Sequence, residues 1–205
     1  MDFADKNQRG SWRVDFVAET GSTNADLWER AVAGAPDRSV LRAGFQSAGR
    51  GRLDRTWEAA AGENLLVSFL FRSVPRDPHV LTQVVAMAAR DAARAVGVDA
   101  VMKWPNDLLV GTSKLAGVLA QAGPIEGDRP SFVVVGIGVN IGSAPDGAVS
   151  LRSSGWSREV SPAGFLDAML PVIDTLLALD EKSMHAAYRS ALADRKSTRL
   201  NSSHE

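Results

Sequence analysis

A segment rich in glycine and arginine, Gln46 to Arg52 with Arg55 just after it, has the residue types of a phosphate-binding loop. Glycine lets the backbone come close to a ligand, and the guanidinium group of arginine offers a fixed fork of donors to phosphate oxygens. The segment is not a Walker A loop, because no Gly-Lys-Ser or Gly-Lys-Thr ends it. From composition alone, an exposed basic loop without a ligand is an equally good interpretation.

A second segment, Lys103-Trp-Pro-Asn-Asp107, packs a cation, an indole, a restricted backbone, an amide and a carboxylate into five residues. That density of functional groups is unusual, although a tight hairpin with its turn at Pro105 and Asn106 explains the same residues structurally. Lys114 follows Asp107 closely, so a hairpin would bring both side chains to one end of a sheet. Taken alone, Lys114 is more typical of a solvated turn lysine.

A third segment, Gly136-Ile-Gly-Val-Asn140, ends an apolar and β-branched run that predicts a central strand with Asn140 at its far end. It is not a dinucleotide-binding fingerprint, because the third glycine is displaced and no helical pattern follows. Glycines in a strand more often mark close packing. Ser22 and Thr23 have the residue types of helix caps, and Trp57 is typical of a core aromatic.

Strands and helices that position these segments follow from hydrophobic periodicity. The predicted strands are Trp12 to Glu19, Val40 to Phe45, Asn64 to Phe71, Val101 to Trp104, Asp107 to Val110, Leu115 to Ala120 and Phe132 to Val139. The predicted helices are Asn24 to about Ala33, Pro78 to Val96, Pro162 to Leu177 and Glu181 to Leu192. Because strands and helices do not alternate regularly, the pattern favours an α+β fold, a mixed β-sheet sandwich with flanking helices.

Composition narrows the class of protein. The chain has 205 residues, of which 45% are hydrophobic, and a net charge of −1. This predicts one compact domain over 1–195, a polar tail over 196–205, and no nucleic-acid partner. The chain has no cysteine and no apolar stretch long enough for a signal or a membrane span. We therefore expect a cytoplasmic protein without membrane contact.

Taken in order, five motifs resemble the catalytic domain of biotin protein ligases over about residues 12 to 192. They are Gly21-Ser-Thr-Asn24, Gln46-Ser-Ala-Gly-Arg-Gly-Arg52, Lys103-Trp-Pro-Asn-Asp107, Lys114-Leu-Ala-Gly117 and Gly136-Ile-Gly-Val-Asn140. The resemblance implies the sandwich fold that these enzymes share with lipoate ligases. It also implies a reaction in two steps, in which ATP converts biotin to biotinyl-AMP and a carrier lysine then displaces AMP.

The resemblance implies a role for each motif residue. The expected biotin-binding residues are Ser22, Thr23, Asn24, Gln46, Gly49, Arg50, Gly51, Arg52, Lys114 and Gly117. The expected ATP-binding residues, with Mg²⁺ accompanying the nucleotide, are Trp57, Lys103, Asn106 and Asn140. The expected catalytic residues are Lys114, Asp107, Arg50 and Arg52. By the same resemblance, the basic loop orders over bound ligand and shields the mixed anhydride from water.

The implied partner is the biotin carboxyl carrier domain of a biotin-dependent carboxylase, and the implied state is a monomer or homodimer. Two departures stand out. We expect no DNA-binding region before the first strand, and we expect the polar tail, which resembles a non-native sequence, to stand in place of the small C-terminal barrel of relatives. Two alternatives stay open. One is a lipoate or octanoate ligase or transferase of the same fold, and the other is a truncated biotin-binding module with weak transfer.

Overall fold

The computed structural model describes residues 8–51, 55–105 and 107–201, with side chains as far as residue 192. The strands are β1 (Gln8–Arg9), β2 (Trp12–Thr20), β3 (Ser39–Gln46), β4 (Leu65–Phe71), β5 (Val101–Lys103), β6 (Asp107–Val110), β7 (Ser113–Ala122), β8 (Ile125–Glu126), β9 (Arg129–Pro130) and β10 (Val133–Val139). The helices are α1 (Thr23–Val32), α2 (His79–Ala95), α3 (Pro162–Leu177) and α4 (Glu181–Asn201). No helix within these described ranges is both long and apolar enough to cross a membrane.

Eight of the strands form one sheet in the order β1-β2-β3-β4-β10-β7-β6-β5. β2 and β3 run parallel, and the neighbouring pairs of this sheet are otherwise antiparallel. β8 and β9 form a separate small hairpin. The predicted mixed α+β fold is confirmed, and every predicted strand and helix has a counterpart.

The two faces of the sheet are covered unequally. The larger core lies between the sheet and helices α2, α3 and α4, and the smaller core lies under α1 on the opposite face. β10 divides its residues between them by strand alternation, so that Val133 and Val135 enter the larger core and Val134 the smaller. Even positions of β10 therefore face α1, and this side carries the two strand glycines.

The C-terminal part of the chain differs from the prediction. The apolar periodicity predicts that the last helix ends at Leu192, but α4 continues to Asn201 and so includes the first residues of the predicted polar tail. A helix that has already nucleated extends at little cost per residue, and 193–201 contain no glycine or proline to stop it. Apolar periodicity is therefore a poor guide to where a helix ends.

Candidate functional site

A cavity of about 520 Å³ opens on the α1 face of the sheet, within the usual size range of ligand sites. Its walls come from the start of α1, the end of β3, the glycine- and arginine-rich loop, and the β5–β6 turn. The expected site residues that line it are Ser22, Thr23, Asn24, Gln46, Arg50, Gly51, Trp57, Lys103, Asp107, Lys114, Gly117 and Asn140. Gly49 is buried within the loop and does not line the cavity, and Arg52 and Asn106 lie outside the described residues.

Three glycines form the floor of this cavity. A Cβ on Gly136 would overlap the Asn24 amide, lying 2.8 Å from its Cγ, and a Cβ on Gly138 would lie 2.5 Å from the Trp57 Nε1. Gly117 approaches both Trp57 and Lys114, since an added Cβ would lie 3.2 Å from the indole and 3.0 Å from Nζ. The close packing expected of strand glycines is confirmed. The missing Cβ atoms leave room for the side chains of Asn24, Trp57 and Lys114.

Gln46 caps the first turn of α1. Its Oε1 accepts from the Thr23 backbone N–H at 2.7 Å and from the Thr23 hydroxyl at 2.9 Å. The expectation that a Ser22 or Thr23 hydroxyl caps the helix is wrong, because Ser22 occupies the N-cap position without making a side-chain capping bond. The side-chain amide of Gln46, at the end of β3, instead accepts from a backbone N–H in the first turn that has no partner within the helix. The local sequence around α1 cannot show such a distant partner.

Ser68 joins this network and was missed by the sequence analysis. It is fully buried, with its hydroxyl 2.5 Å from Asn24 Oδ1 and 2.8 Å from Thr23 Oγ1. Asn24 Nδ2 in turn donates to the Leu119 carbonyl at 3.1 Å, which fixes the orientation of the amide. The available signal was a lone hydroxyl inside the apolar strand β4, since a buried polar group needs a partner.

Lys114 and Asp107 form an ion pair, with Nζ 2.8 Å from Oδ1. The approach predicted from a hairpin is confirmed, but it depends on a β-bulge that was not predicted. The register of β6 and β7 shifts between Leu108 and Leu109, so that Asp107 pairs with Gly117 while Leu109 pairs with Lys114. An extra residue turns the following side chains to the other face, and here it brings Lys114 to the face of Asp107. The ammonium also lies 5.5 Å from the centroid of the Trp57 ring.

The basic loop has a paired stem. The Trp57 N–H donates to the Gly49 carbonyl at 2.9 Å, and the Gly51 N–H donates to the Arg55 carbonyl at 2.6 Å. A Cβ on Gly49 would lie 2.6 Å from the Trp57 carbonyl oxygen, so this close approach requires glycine. Arg50 is exposed and lines the cavity. Closure of this loop over a ligand stays a prediction.

Asn140 directly follows β10, as predicted, and is 1% exposed. Its Nδ2 donates to the carbonyls of Val149 at 3.2 Å and Lys114 at 3.4 Å, whereas its Oδ1 is buried without a partner among the described residues. The backbone after it is held by Asn64, whose Oδ1 accepts from three successive N–H groups, those of Ile141, Gly142 and Ser143. Asn64 was not singled out from the sequence.

Two residues that line the cavity each have a buried polar atom without a partner among the described residues, the acceptor Oδ1 of Asn140 and the donor Nε1 of Trp57. Buried polar atoms usually have partners, so this pair is consistent with a ligand that supplies one donor and one acceptor. No cluster of three or more His, Asp or Glu residues suited to a metal ion occurs in the described part of the chain. The residues that line the site supply cations, amides, hydroxyls and the carboxylate of Asp107.

Comparison with known proteins agrees with this arrangement. The family model described as the biotin/lipoate A/B protein ligase family matches residues 17–140. A biotin–[acetyl-CoA-carboxylase] ligase of Mycobacterium tuberculosis is 41% identical over 144 residues, 66% of this chain and 52% of that protein. The ligase of the same name from Paracoccus denitrificans is 36% identical over 172 residues, 76% of this chain and 69% of that protein.

Among solved structures, the biotin protein ligase from Aquifex aeolicus in complex with biotin and ATP superimposes with a TM-score of 0.66 at 26% identity. That superposition covers 79% of this chain and 68% of the other. This chain spans about half the length of the Mycobacterium relative. The family model matches more than half of the chain, and the matched stretch contains all five motifs and ends on the last residue of the fifth, so the chain belongs to the biotin/lipoate A/B protein ligase family.

Proposed function

We propose that this chain is an ATP-dependent biotin protein ligase, which forms biotinyl-AMP and transfers biotin to a lysine of a biotin carboxyl carrier domain. One observation carries the proposal. A single cavity joins a buried hydroxyl and amide network at the start of α1 to a cluster of cations around Lys114. The first part suits a neutral polar ring and the second suits phosphate. The names of the Mycobacterium and Paracoccus relatives support the same assignment.

The network at α1 has hydrogen-bonding capacity left for a ureido ring. Because Asn24 Nδ2 donates to Leu119, its Oδ1 must receive the single proton of Ser68. The Thr23 hydroxyl then donates to Gln46 or Ser68 and keeps a lone pair, and the Ser22 hydroxyl has no partner among the described residues. These groups can accept from the ring N–H groups of biotin and donate to its carbonyl oxygen.

An apolar substrate would fit this end of the cavity poorly. A lipoyl or octanoyl tail offers no hydrogen bonds to buried hydroxyls, and each polar group desolvated without a partner costs about 1–3 kcal/mol. Ser22 and Thr23 are 8% and 4% exposed, so water cannot readily solvate them beside such a tail. The cavity therefore favours biotin over the acyl substrates used by other members of the fold.

In the first step, a biotin carboxylate oxygen attacks the α-phosphorus of ATP and pyrophosphate leaves. We assign Lys114 to the stabilisation of charge on the carboxylate and phosphoryl oxygens, with Arg50 supporting it from the loop. Arg52 keeps the corresponding role predicted from the sequence. Loss of one preorganised donor in comparable sites costs about 3 kcal/mol, or roughly a hundredfold in rate. Loop closure would keep water from the mixed anhydride.

In the second step, the carrier lysine attacks the acyl carbon and AMP leaves. We assign Asp107 to the orientation and deprotonation of that lysine, because a protonated amine cannot attack. Asp107 is paired with Lys114, whose Nζ lies 2.8 Å from its Oδ1. A bound adenylate would compete for the ammonium and leave the carboxylate available to accept a proton. Adenylate formation would thus prepare the base for transfer.

The nucleotide would occupy the part of the cavity that contains Trp57, Lys103 and Asn140. Only Oδ1 of the Asn140 amide is unpartnered, so it can accept from a nucleotide N–H or O–H group or contact a cation, but it cannot donate to phosphate. Mg²⁺ would arrive with the phosphates, since this hard cation usually keeps substrate phosphates, waters and one or two protein oxygens as ligands. Asn140 offers such an oxygen in its Oδ1.

Substitution of the ion pair tests the two assigned roles separately. Lys114→Gln should lower biotin-dependent exchange of pyrophosphate into ATP about a hundredfold. Asp107→Asn should retain exchange and lose labelling of a purified carrier domain. Lys182→Gln and Asp128→Asn, both exposed, are matched controls. Equal loss of both half-reactions in Asp107→Asn would contradict its role in transfer. Exchange without labelling in the wild type would favour a binding module.

A cytoplasmic location and a monomeric or homodimeric state complete the proposal. The location is supported by the absence of cysteine and by the dependence of the proposed reaction on ATP. Sedimentation of the purified protein with and without biotin and ATP would establish its oligomeric state.

A further inference from the structure

The indole of Trp104 is exposed at the mouth of the cavity. It is 71% exposed, more than any other large hydrophobic side chain among the described residues, and it belongs to the cavity lining. Removal of an indole from water contributes a large part of the energy of many interfaces, so a tryptophan left in water marks a candidate contact. The other large exposed apolar side chains lie away from this cavity, at Phe16, Val32, Ile125 and Leu179.

Its position in the fold relates Trp104 to the second half-reaction. Trp104 follows β5 at the turn of the β5–β6 hairpin, where Lys103 pairs with Asp107 across the two strands. The turn therefore projects from the same strand ends that place Asp107 beside Lys114. Trp104 and Asp107 thus lie at the two ends of one short turn, and both line the cavity.

We propose that Trp104 is the docking anchor for the protein that carries the acceptor lysine. The inference rests on the proposed function, because it needs a protein acceptor. A lysine presents its amine on a stem of only four carbons, so the domain that bears it must touch the cavity rim while the amine reaches the acyl carbon. An exposed indole on that rim would be buried by such a domain, whereas a small substrate inside the cavity would leave it in water.

The charges of the rim specify the chemistry of this partner. Four charged side chains of the cavity lining are exposed. Arg50, Arg55 and Lys103 are cationic, and Glu58 is acidic. Bound adenylate carries one phosphate charge, which leaves the rim cationic. The matching partner is a small folded domain with acidic residues and an apolar patch flanking its acceptor lysine. Complementary charge mainly accelerates association and depends on salt concentration.

The experiment compares a protein acceptor with one that needs no docking. Hydroxylamine attacks the acyl carbon of biotinyl-AMP, the bond from that carbon to the phosphate oxygen breaks, and AMP and biotin hydroxamate are released with a proton. For Trp104→Ala, we expect kcat/KM for a purified carrier domain of acetyl-CoA carboxylase to fall about 30-fold, which corresponds to an interface hot spot. The rates of pyrophosphate exchange and of hydroxamate formation should change less than about twofold, and a change of that size counts as no effect here.

Two further variants keep the inference falsifiable. Trp104→Phe should recover most of the carrier reaction, and Ile125→Ala, at a position 67% exposed on another part of the surface, should leave it unchanged. Equal losses with carrier and hydroxylamine would mean that Trp104 acts on the adenylate, and no loss with either would mean that it anchors nothing. Absence of biotin-dependent exchange in the wild type would instead refute the proposed function itself.

Discussion

Gly136 should not tolerate even one methyl group, and this substitution tests how the floor of the cavity is built. In Gly136→Ala the new Cβ would overlap Oδ1 of Asn24 and lie 2.8 Å from its Cγ, so the amide must move. Movement breaks the bond to the Leu119 carbonyl and the bond from Ser68, whose hydroxyl is fully buried. Buried groups left without a partner cost about 1–3 kcal/mol each, so the free energy of unfolding should fall by about 2–4 kcal/mol.

Thermal unfolding can measure this loss. For a domain of this size, each kcal/mol corresponds to about 2–4 °C, so a loss of about 2–4 kcal/mol predicts a fall in Tm of about 4–16 °C. Biotin binding measured by calorimetry should weaken as well, because the displaced amide belongs to the proposed biotin site. Gly21→Ala is the matched control, since a Cβ there meets nothing within 4 Å. Its effect on Tm should be small.

A double-mutant cycle identifies the cause. Asn24→Ala removes the atoms that Gly136→Ala would strike, so the second substitution should cost much less in that background. Contacting residues commonly couple by about 0.5–3 kcal/mol, and we expect a value in the upper half of that range. If Gly136→Ala destabilises both backgrounds equally, the clash with Asn24 is not the reason for the glycine, and the description of the floor is wrong.

Three further changes test the supports of the site and the fold. Gln46→Ala should lower the free energy of unfolding by about 1 kcal/mol, because α1 loses its cap. Gln46→Glu keeps an acceptor oxygen and should retain most of that free energy. Chemical denaturation of both variants measures the difference. Asn64→Ala leaves three backbone N–H groups without their acceptor and should cost about 1–3 kcal/mol, whereas Asn64→Asp should be milder. Hydrogen bonds from Ser183 hold the pKa of Asp180 below its ordinary 3.8. The stabilisation is therefore present above pH 3.8 and lost as pH falls through the lower folded pKa, so the Tm deficit of Asp180→Ala should shrink on acidification.

Periodicity and local chemistry explain how much of the fold could be predicted. Apart from two glycines, every residue from Val133 to Val139 is apolar and β-branched. This pattern predicts a central strand, and β10 does lie between β4 and β7. Helix starts with local signals were equally predictable, since Ser161 caps α3 by accepting from the Gly164 N–H at 3.1 Å. Such features need only neighbouring residues. The end of α4 had no local stop signal and was misplaced.

Contacts between distant segments could not be predicted in the same way. Gln46 caps a helix that begins 23 residues earlier, and Ser68 meets Asn24 across 44 residues. The bulge that turns Lys114 toward Asp107 depends on the pairing of two strands and leaves no mark in composition. The motif residues were recognisable because their resemblance covers most of the chain. Their supporting residues became visible only in the folded arrangement.

Biotin-dependent exchange of labelled pyrophosphate into ATP tests the central claim most directly, with lipoate and octanoate as the competing acids. Exchange requires reversible formation of the acyl-adenylate but no carrier protein. It therefore measures only the adenylation reaction in the cavity. We predict exchange with biotin and little with either apolar acid, because neither can satisfy the hydroxyl and amide network at the start of α1. Exchange that is faster with lipoate or octanoate, or absent with all three acids in folded protein, would contradict the account.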